Sequence, residues 1–225
     1  MCRTCGGGAP VDVHFCPQCS KLLALGRHGD YFAFLGLPRK LNLDAASLDQ
    51  RFRALSRQFH PDFFYNATPA ERRASLDRSS YLNDAYRTLR DQAERLAYLI
   101  QLELPADEAR KAGGKKALEN AVLPPALLQE YFELNEELDE IRQARTAGAP
   151  EAEWKAKLDQ ARQPIMAKQH AHDAQLSELS ARWDAIVDGG AGAGNRTEVL
   201  DALRERLLER NYINNLLEGI ERELV

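Results

Sequence analysis

Apolar residues recur along most of this chain at intervals of three and four, and the places where that period breaks divide it into pieces. Leu48, Phe52, Leu55 and Phe59 form one stripe, with Arg51, Arg53 and Arg57 lying off it, which predicts a helix with a core face and a cationic face. Pro61 lacks an amide hydrogen and disfavours the helical region for the residue before it, so this helix ends near His60. His60 and Asp62 are then displayed at the tip, followed by a polar loop from Phe63 to Thr68. A second helix opens at Thr68-Pro69-Ala70-Glu71, with an N-cap threonine, proline at the first helical position and a carboxylate at the third. Its apolar line runs through Leu82, Ala85, Tyr86 and Leu89, and the pattern continues through Arg95, Ala97, Tyr98, Leu99 and Leu102 as a short helix packed against the pair.

Between Pro105 and Pro125 the period disappears around Gly113-Gly114-Lys115-Lys116, which predicts an interdomain connection. Three long helices are expected after it. The first, from Pro124 to about Arg145, carries a seam of Leu127, Tyr131, Leu134, Leu138 and Ile141. The second, from about Pro150 to Val187, carries Trp154, Leu158, Ala161, Ile165, Leu176, Leu179, Trp183 and Ile186, with a kink expected at Pro164. The third, from Thr197, carries Leu200, Leu203, Leu207, Ile213, Leu217, Ile220 and Leu224, after a flexible turn at Gly189 to Gly194. Three such seams bury one another most economically as a three-helix bundle.

Leu128 and Phe132 fall outside the first seam, on an adjoining ridge that continues through Glu136 and Glu140 with Glu133 beside it. Six acids and two arginines lie between Leu127 and Arg145. The periodicity leaves two readings even: a docking surface of an apolar pair grading into acid, or a widened core with a solvated face.

Composition narrows the function classes. Hydrophobic residues make up 44% of the 225 and charged residues 28%, as in a soluble protein of one or two domains. No apolar run approaches the roughly 18 residues of a membrane span. The start, Met1-Cys2-Arg3-Thr4-Cys5, has neither an apolar signal core nor an amphipathic presequence. A cytoplasmic location is expected, or the mitochondrial matrix if a presequence has been trimmed away. A net charge of −4 without a dense basic stretch disfavours nucleic-acid binding.

The four cysteines form two pairs, Cys2-x-x-Cys5 and Cys16-Pro17-Gln18-Cys19, ten residues apart and each followed by a small residue, Gly6 or Ser20. That spacing suggests two metal knuckles whose thiolates close a tetrahedral shell around one structural zinc ion. Iron in a rubredoxin-like shell shares the spacing, and two disulfides fit poorly with a chain that has no export signal. His14, beside Phe15, reads as an ordinary loop histidine. An enzyme is not expected, because His60 and Asp62 have no nucleophile, Gly-rich phosphate loop or metal context around them.

Two helices bridged by His60-Pro61-Asp62, preceded by Asp30-Tyr31-Phe32-Ala33-Phe34-Leu35-Gly36-Leu37, resemble a J-domain. That resemblance implies that the loop and the cationic helix face dock on a DnaK-class (seventy-kilodalton heat-shock) chaperone and stimulate its ATPase. The Gly/Phe-rich linker and CxxCxGxG modules of client-holding J-proteins are not present. The segment Glu133-Leu134-Asn135-Glu136-Glu137-Leu138-Asp139-Glu140-Ile141, with the J-domain ahead of it and a bundle around it, closely resembles HscB, the iron–sulfur assembly co-chaperone. This resemblance covers nearly the whole chain from Asp30. It implies a bundle that binds the scaffold protein IscU and delivers it to an HscA-type chaperone, with contacts on Leu128, Phe132, Glu133, Glu136, Glu140 and, on the last helix, Tyr212. Gln129 replaces one usual apolar contact. The tetrad resembles the N-terminal extension of the longer, metal-binding family members.

The expected architecture is all-α, with zinc-ribbon-like knuckles over 1–27, a J-domain hairpin over 28–105, a linker over 106–123 and a scaffold-binding three-helix bundle over 124–225. A J-domain protein serving a different client, or a tetracysteine redox or cluster-carrying protein, are the alternatives.

Overall fold

Capping side chains mark where the first helices begin. In the computed structural model, which describes residues 2, 5–8, 13–24, 29–104, 125–189 and 193–224, Asp30 accepts the Ala33 amide to start α1 (Tyr31–Phe34) and Asp44 accepts that of Ser47 to start α2 (Ala45–Phe59). Thr68 and Glu71 form the reciprocal capping box expected at the head of α3 (Pro69–Arg90). There follow α4 (Gln92–Glu103), α5 (Pro125–Thr146), α6 (Glu151–Val187) and α7 (Ala193–Leu224). The fold is all-α; among the described residues the β-type pairing is an isolated antiparallel bridge between Phe15 and Leu22. No helix among them is long and apolar enough to cross a membrane.

The chain forms two compact units. The first comprises Met1–Leu102 together with Trp183–Gly190. Within it Asp49 meets Tyr86 while Phe59 meets Ser75, so α2 and α3 run antiparallel. Leu48, Phe59, Leu82, Ala85, Leu89, Leu99 and Ile100 are buried between these helices, α4 and α1, whose Phe32 and Phe34 complete the core. The end of α6 belongs here too. Trp183 is fully buried and donates its indole N–H to the Arg39 carbonyl at 2.8 Å, and the Asp184 carboxylate accepts the Leu41 and Asn42 amides at 2.7 and 2.9 Å. The expected seam of α6 therefore runs on past Arg182 into a different core.

The second unit comprises Glu103–Arg182 with Ala191–Val225. Leu134, Leu138 and Ile141 of α5, Trp154, Leu158, Ala161 and Ile165 of α6, and Tyr212, Ile213, Leu216 and Ile220 of α7 form its hydrophobic cluster. Tyr131, expected in the α5 seam, is 42% exposed instead. The seam position between Ile165 and Leu176 is held by a histidine, His172, buried and within 2.8 Å of the Arg206 carbonyl through Nε2. Helix α6 stays helical through Pro164, which lies on its exposed side, where the carbonyl it deprives of an amide can turn to water. Helix α7 starts at Ala193, so Gly194, expected in the turn, lies inside it. The predicted linker over 106–123 lies outside the described residues.

Seam and surface positions on α5 should respond differently to truncation. Leu138→Ala, which empties a fully buried site, is expected to cost roughly 2–5 kcal/mol in urea unfolding, whereas Tyr131→Ala should change stability by about 0.5 kcal/mol or less. Equal losses would put Tyr131 back in the core.

Candidate docking corner, metal site and acidic face

Helix α2 stops where Pro61 forces it to, and the stop leaves the Phe59 carbonyl without an intrahelical amide. Two hydroxyls of α3 take its place: Ser75 Oγ donates to it at 2.6 Å and Ser79 Oγ at 3.0 Å. The Phe59 ring is fully buried, so both its side chain and its carbonyl are fixed one residue before His60. The segment expected to be a polar loop begins as a tight 3-10 turn, Pro61–Phe64, in which the Phe63 amide donates to the His60 carbonyl at 3.0 Å. His60 Nδ1 lies 3.4 Å from both the Asp62 amide and its carboxylate. Their side chains are 52% and 85% exposed, an arrangement suited to contact with a partner rather than to enclosed acid–base chemistry. Phe63 and Tyr65, beside them, are also exposed.

The three arginines of α2 do not share one environment. Arg51 spends its guanidinium on the Leu35 and Gly36 carbonyls, at 3.1 and 2.8 Å, bracing the turn that Gly36 makes at φ +64°. Arg53 and Arg57 make no such contact among the described residues, and all three arginines are exposed.

The cysteine tetrad is assembled. All four sulfurs lie within 4.8 Å of one another, with Cys2 to Cys19 and Cys5 to Cys16 both 3.7 Å apart, and none is bonded to another. A zinc–sulfur bond of about 2.3 Å gives a tetrahedron with edges of roughly 3.8 Å, so these residues fit a four-coordinate thiolate site. The two halves repeat one backbone pattern. The Cys2 carbonyl accepts from Gly6 and the Cys2 amide donates to Gly7; Cys16 does the same with Ser20 and Lys21, all at 2.8–2.9 Å. Each knuckle needs a left-handed residue at its fifth position, supplied by Gly6 at φ +71° and by Ser20 at φ +56°. The Cys19 and Gln18 amides, pointing at the Cys16 sulfur, hold its thiol below the ordinary range.

His14 is not a loop residue in the ordinary sense, nor part of the tetrad. Its ring packs edge-on against Phe34 and Phe59, with centroids 4.8 Å away in each case, and its Nδ1 lies 2.7 Å from Nη1 of Arg78. Arginine can only donate, so His14 Nδ1 is the acceptor. Arg78 is fully buried, also donates to the Leu23 carbonyl at 2.9 Å, and lies over the rings of Phe59 and Phe34 at 5.5 and 6.0 Å. Burial lowers its pKa to about 10, which leaves it charged at neutral pH. Lys21 pairs with Glu71 at 3.1 Å. Lys21 and then Thr68 draw the Glu71 carboxyl below the usual range, so its contribution to stability is present above about pH 4.3 and lost as pH falls through the lowered value.

On α5, Leu128 and Phe132 are 38% and 63% exposed, and Glu133, Glu136 and Glu140 are exposed beside them. The apolar pair therefore does not widen the bundle core. A groove of about 380 Å³ lined by Glu130, Glu133, Leu134, Glu137, Ile165 and Lys168 runs along one flank. Gln129 donates to Glu133 at 2.8 Å. Tyr212, expected as a surface contact, is instead 2% exposed and belongs to the core, with Lys168 Nζ 5.6 Å from its ring centre. Burial, reinforced by Glu130, pushes its hydroxyl up to about 12. Spacing could not reveal this, because Tyr212 and Ile213 are neighbours in sequence and both face inward.

Two solved structures similar to this one are HscB co-chaperones. Human co-chaperone protein HscB matches with a TM-score of 0.66 and 26% identity over 100% of this chain and 98% of its own. The chaperone HscB from Vibrio cholerae matches with a TM-score of 0.57 and 28% identity over 87% of this chain and 100% of its own. No protein-family model matches the sequence. The resemblance to HscB read from the residues is thus carried by the fold as well.

The serine clasp on Phe59 can be tested by removing both hydroxyls. Ser75→Ala combined with Ser79→Ala leaves a buried carbonyl without a donor and should cost about 1–3 kcal/mol in urea unfolding; Ser80→Ala, on the exposed side of α3, should cost nothing measurable. A double variant as stable as the parent would show that the carbonyl finds another partner.

Proposed function

We propose that this protein is a non-enzymatic co-chaperone of iron–sulfur cluster assembly, which stimulates the ATPase of a DnaK/HscA-class chaperone and delivers an IscU-type scaffold to it. The observation that carries this reading is the exposed His60–Asp62 pair on a corner fixed by Phe59, in a chain similar to HscB co-chaperones over its length. The corner presents an imidazole, a carboxylate and the exposed cations Arg53 and Arg57, which suits an acidic surface on the chaperone. Stimulation then requires only that this contact favour the hydrolysis-competent conformation of the partner. Arg51 contributes by holding the turn at Gly36.

The exposed face of α5 is the proposed scaffold surface. Leu128 and Phe132 supply apolar area and Glu133, Glu136 and Glu140 select a cationic rim on the partner, while Tyr212 is buried in the core near Glu130 and Lys168. Cys2, Cys5, Cys16 and Cys19 would hold one structural zinc ion, which when bound supplies the charge and geometry that keep the two knuckles together. The domain limits that go with this reading are 1–27, 28–105 and 124–225, except that Trp183–Gly190, inside the last range, belongs with the first unit.

Asp62→Asn should reduce stimulation of the chaperone's ATP turnover by at least about tenfold, roughly 1.4 kcal/mol, while leaving scaffold affinity unchanged. Leu128→Ala with Phe132→Ala should do the reverse, weakening the scaffold complex in calorimetry while scaffold-free stimulation persists. Stimulation unchanged by Asp62→Asn would remove the corner from the reading. A colourless protein with one zinc per chain is expected; visible absorbance from iron would replace the structural metal with a redox or cluster-carrying centre.

A further inference from the structure

The metal-binding extension touches both ends of the segment that carries His60 and Asp62. On the upstream side, His14 and Phe15 pack on Phe59, the last residue of α2, with ring centroids 4.8 and 6.2 Å away. On the downstream side, Lys21 pairs with Glu71, whose other carboxylate oxygen closes the capping box by accepting the Thr68 amide at 3.3 Å. Arg78 ties these together. It spans from His14 Nδ1 and the Leu23 carbonyl to the face of Phe59, and its Nη2 has no hydrogen-bond partner among the described residues.

These contacts come from the segment over 2–24, whose described residues bury few apolar side chains of their own: Cys2, Cys16 and Leu22. A stretch of that size depends on its metal for order. His14 and Phe15 lie directly before Cys16, and Lys21 supplies the carbonyl that closes the second knuckle. Loss of the metal therefore releases His14 from Phe59, strips Arg78 of both acceptors, and frees Lys21 from Glu71. A buried guanidinium without acceptors is strongly unfavourable, so Arg78 would turn to water and leave the Phe59 ring uncovered.

We infer that the tetracysteine extension is a metal-dependent clamp on the His60–Asp62 corner, so that the corner's rigidity, and with it ATPase stimulation, tracks metal occupancy. The inference rests on the proposed reading of the corner and of the tetrad. Its partner class is unchanged; what it adds is regulation by metal supply or by any agent that removes the metal.

Amide hydrogen exchange on the full chain, zinc-loaded and after chelation, tests it, with zinc content measured first. Removing zinc should speed exchange at least tenfold for the amides of residues 62–72 and lower ATPase stimulation in parallel, while α5–α7 keep their protection. In Lys21→Ala, whose altered side chain is half-exposed, zinc still binds, and exchange is already fast near Glu71 and Arg72 while Phe63 stays protected. In His14→Ala with Lys21→Ala, exchange across the corner should be fast with zinc bound and change less than twofold on its removal. Exchange over 62–72 indifferent to zinc would overturn the clamp, and so would equal acceleration throughout α2–α4, which would make the metal a general stabiliser. A chain that binds no zinc would overturn it through the tetrad. Failure of Asp62→Asn to lower stimulation would instead defeat the corner reading, whatever the exchange shows.

Discussion

The junction at Phe59 is the constraint on which the first unit depends. A proline stop obliges α2 to end with a carbonyl that the helix cannot satisfy, and a ring that must be buried sits on the same residue. Two serines of α3 answer the carbonyl, and Arg78, also from α3, answers the ring. That arginine is fully buried with neutral acceptors, a histidine nitrogen and a backbone carbonyl, in place of a carboxylate. Neutral acceptors and aromatic faces satisfy a guanidinium without burying a second charge, so the cost of desolvation falls on one ion and not two. The His60–Asp62 corner inherits its position from this arrangement, because every bond fixing Phe59 lies one residue upstream of it.

The two candidate docking surfaces use opposite physical strategies. The corner is a small, polar, rigid feature whose side chains reach into water, suited to fast, charge-guided encounter. The α5 face offers apolar side chains edged by acids along just over three helical turns, suited to a longer-lived contact. Each surface is held by its own unit's core: the corner by Phe59 and Arg78, the face by Leu134, Leu138 and Ile141 directly beneath it. Substitutions at exposed positions on one unit should therefore leave the other intact.

What could be read from the residues was what is local. The helix stop at Pro61, the capping box at Thr68 and Glu71, and the paired cysteine knuckles each lie within six residues of chain, and the fold has all three. What stayed hidden depends on partners far along the chain. Arg51 reads only as part of a cationic face until its bonds to Leu35 and Gly36 are seen, and His14 reads as a loop residue until Arg78, 64 positions on, is placed against it. Tyr212 looks like an exposed contact because Ile213 already accounts for the seam, yet α7 is broad enough at its interface to bury both. Periodicity likewise carried α6 unbroken to Val187, whereas Trp183 and Asp184 belong with the loop over 39–42. A seam reports that a face is buried, not which core buries it.

Whether one chain couples chaperone engagement to scaffold capture is decided by ATP turnover of the chaperone with scaffold present, using a mixture of the Asp62→Asn and Leu128→Ala/Phe132→Ala proteins. The first retains the scaffold surface and the second retains the corner, so every contact is in the tube but never on one chain. Coupling by covalent connection predicts that the mixture shows the stimulation of the second variant alone, without the scaffold-dependent rise given by wild type. Restoration of that rise by the mixture would contradict the account, since the two surfaces would then act as independent binders.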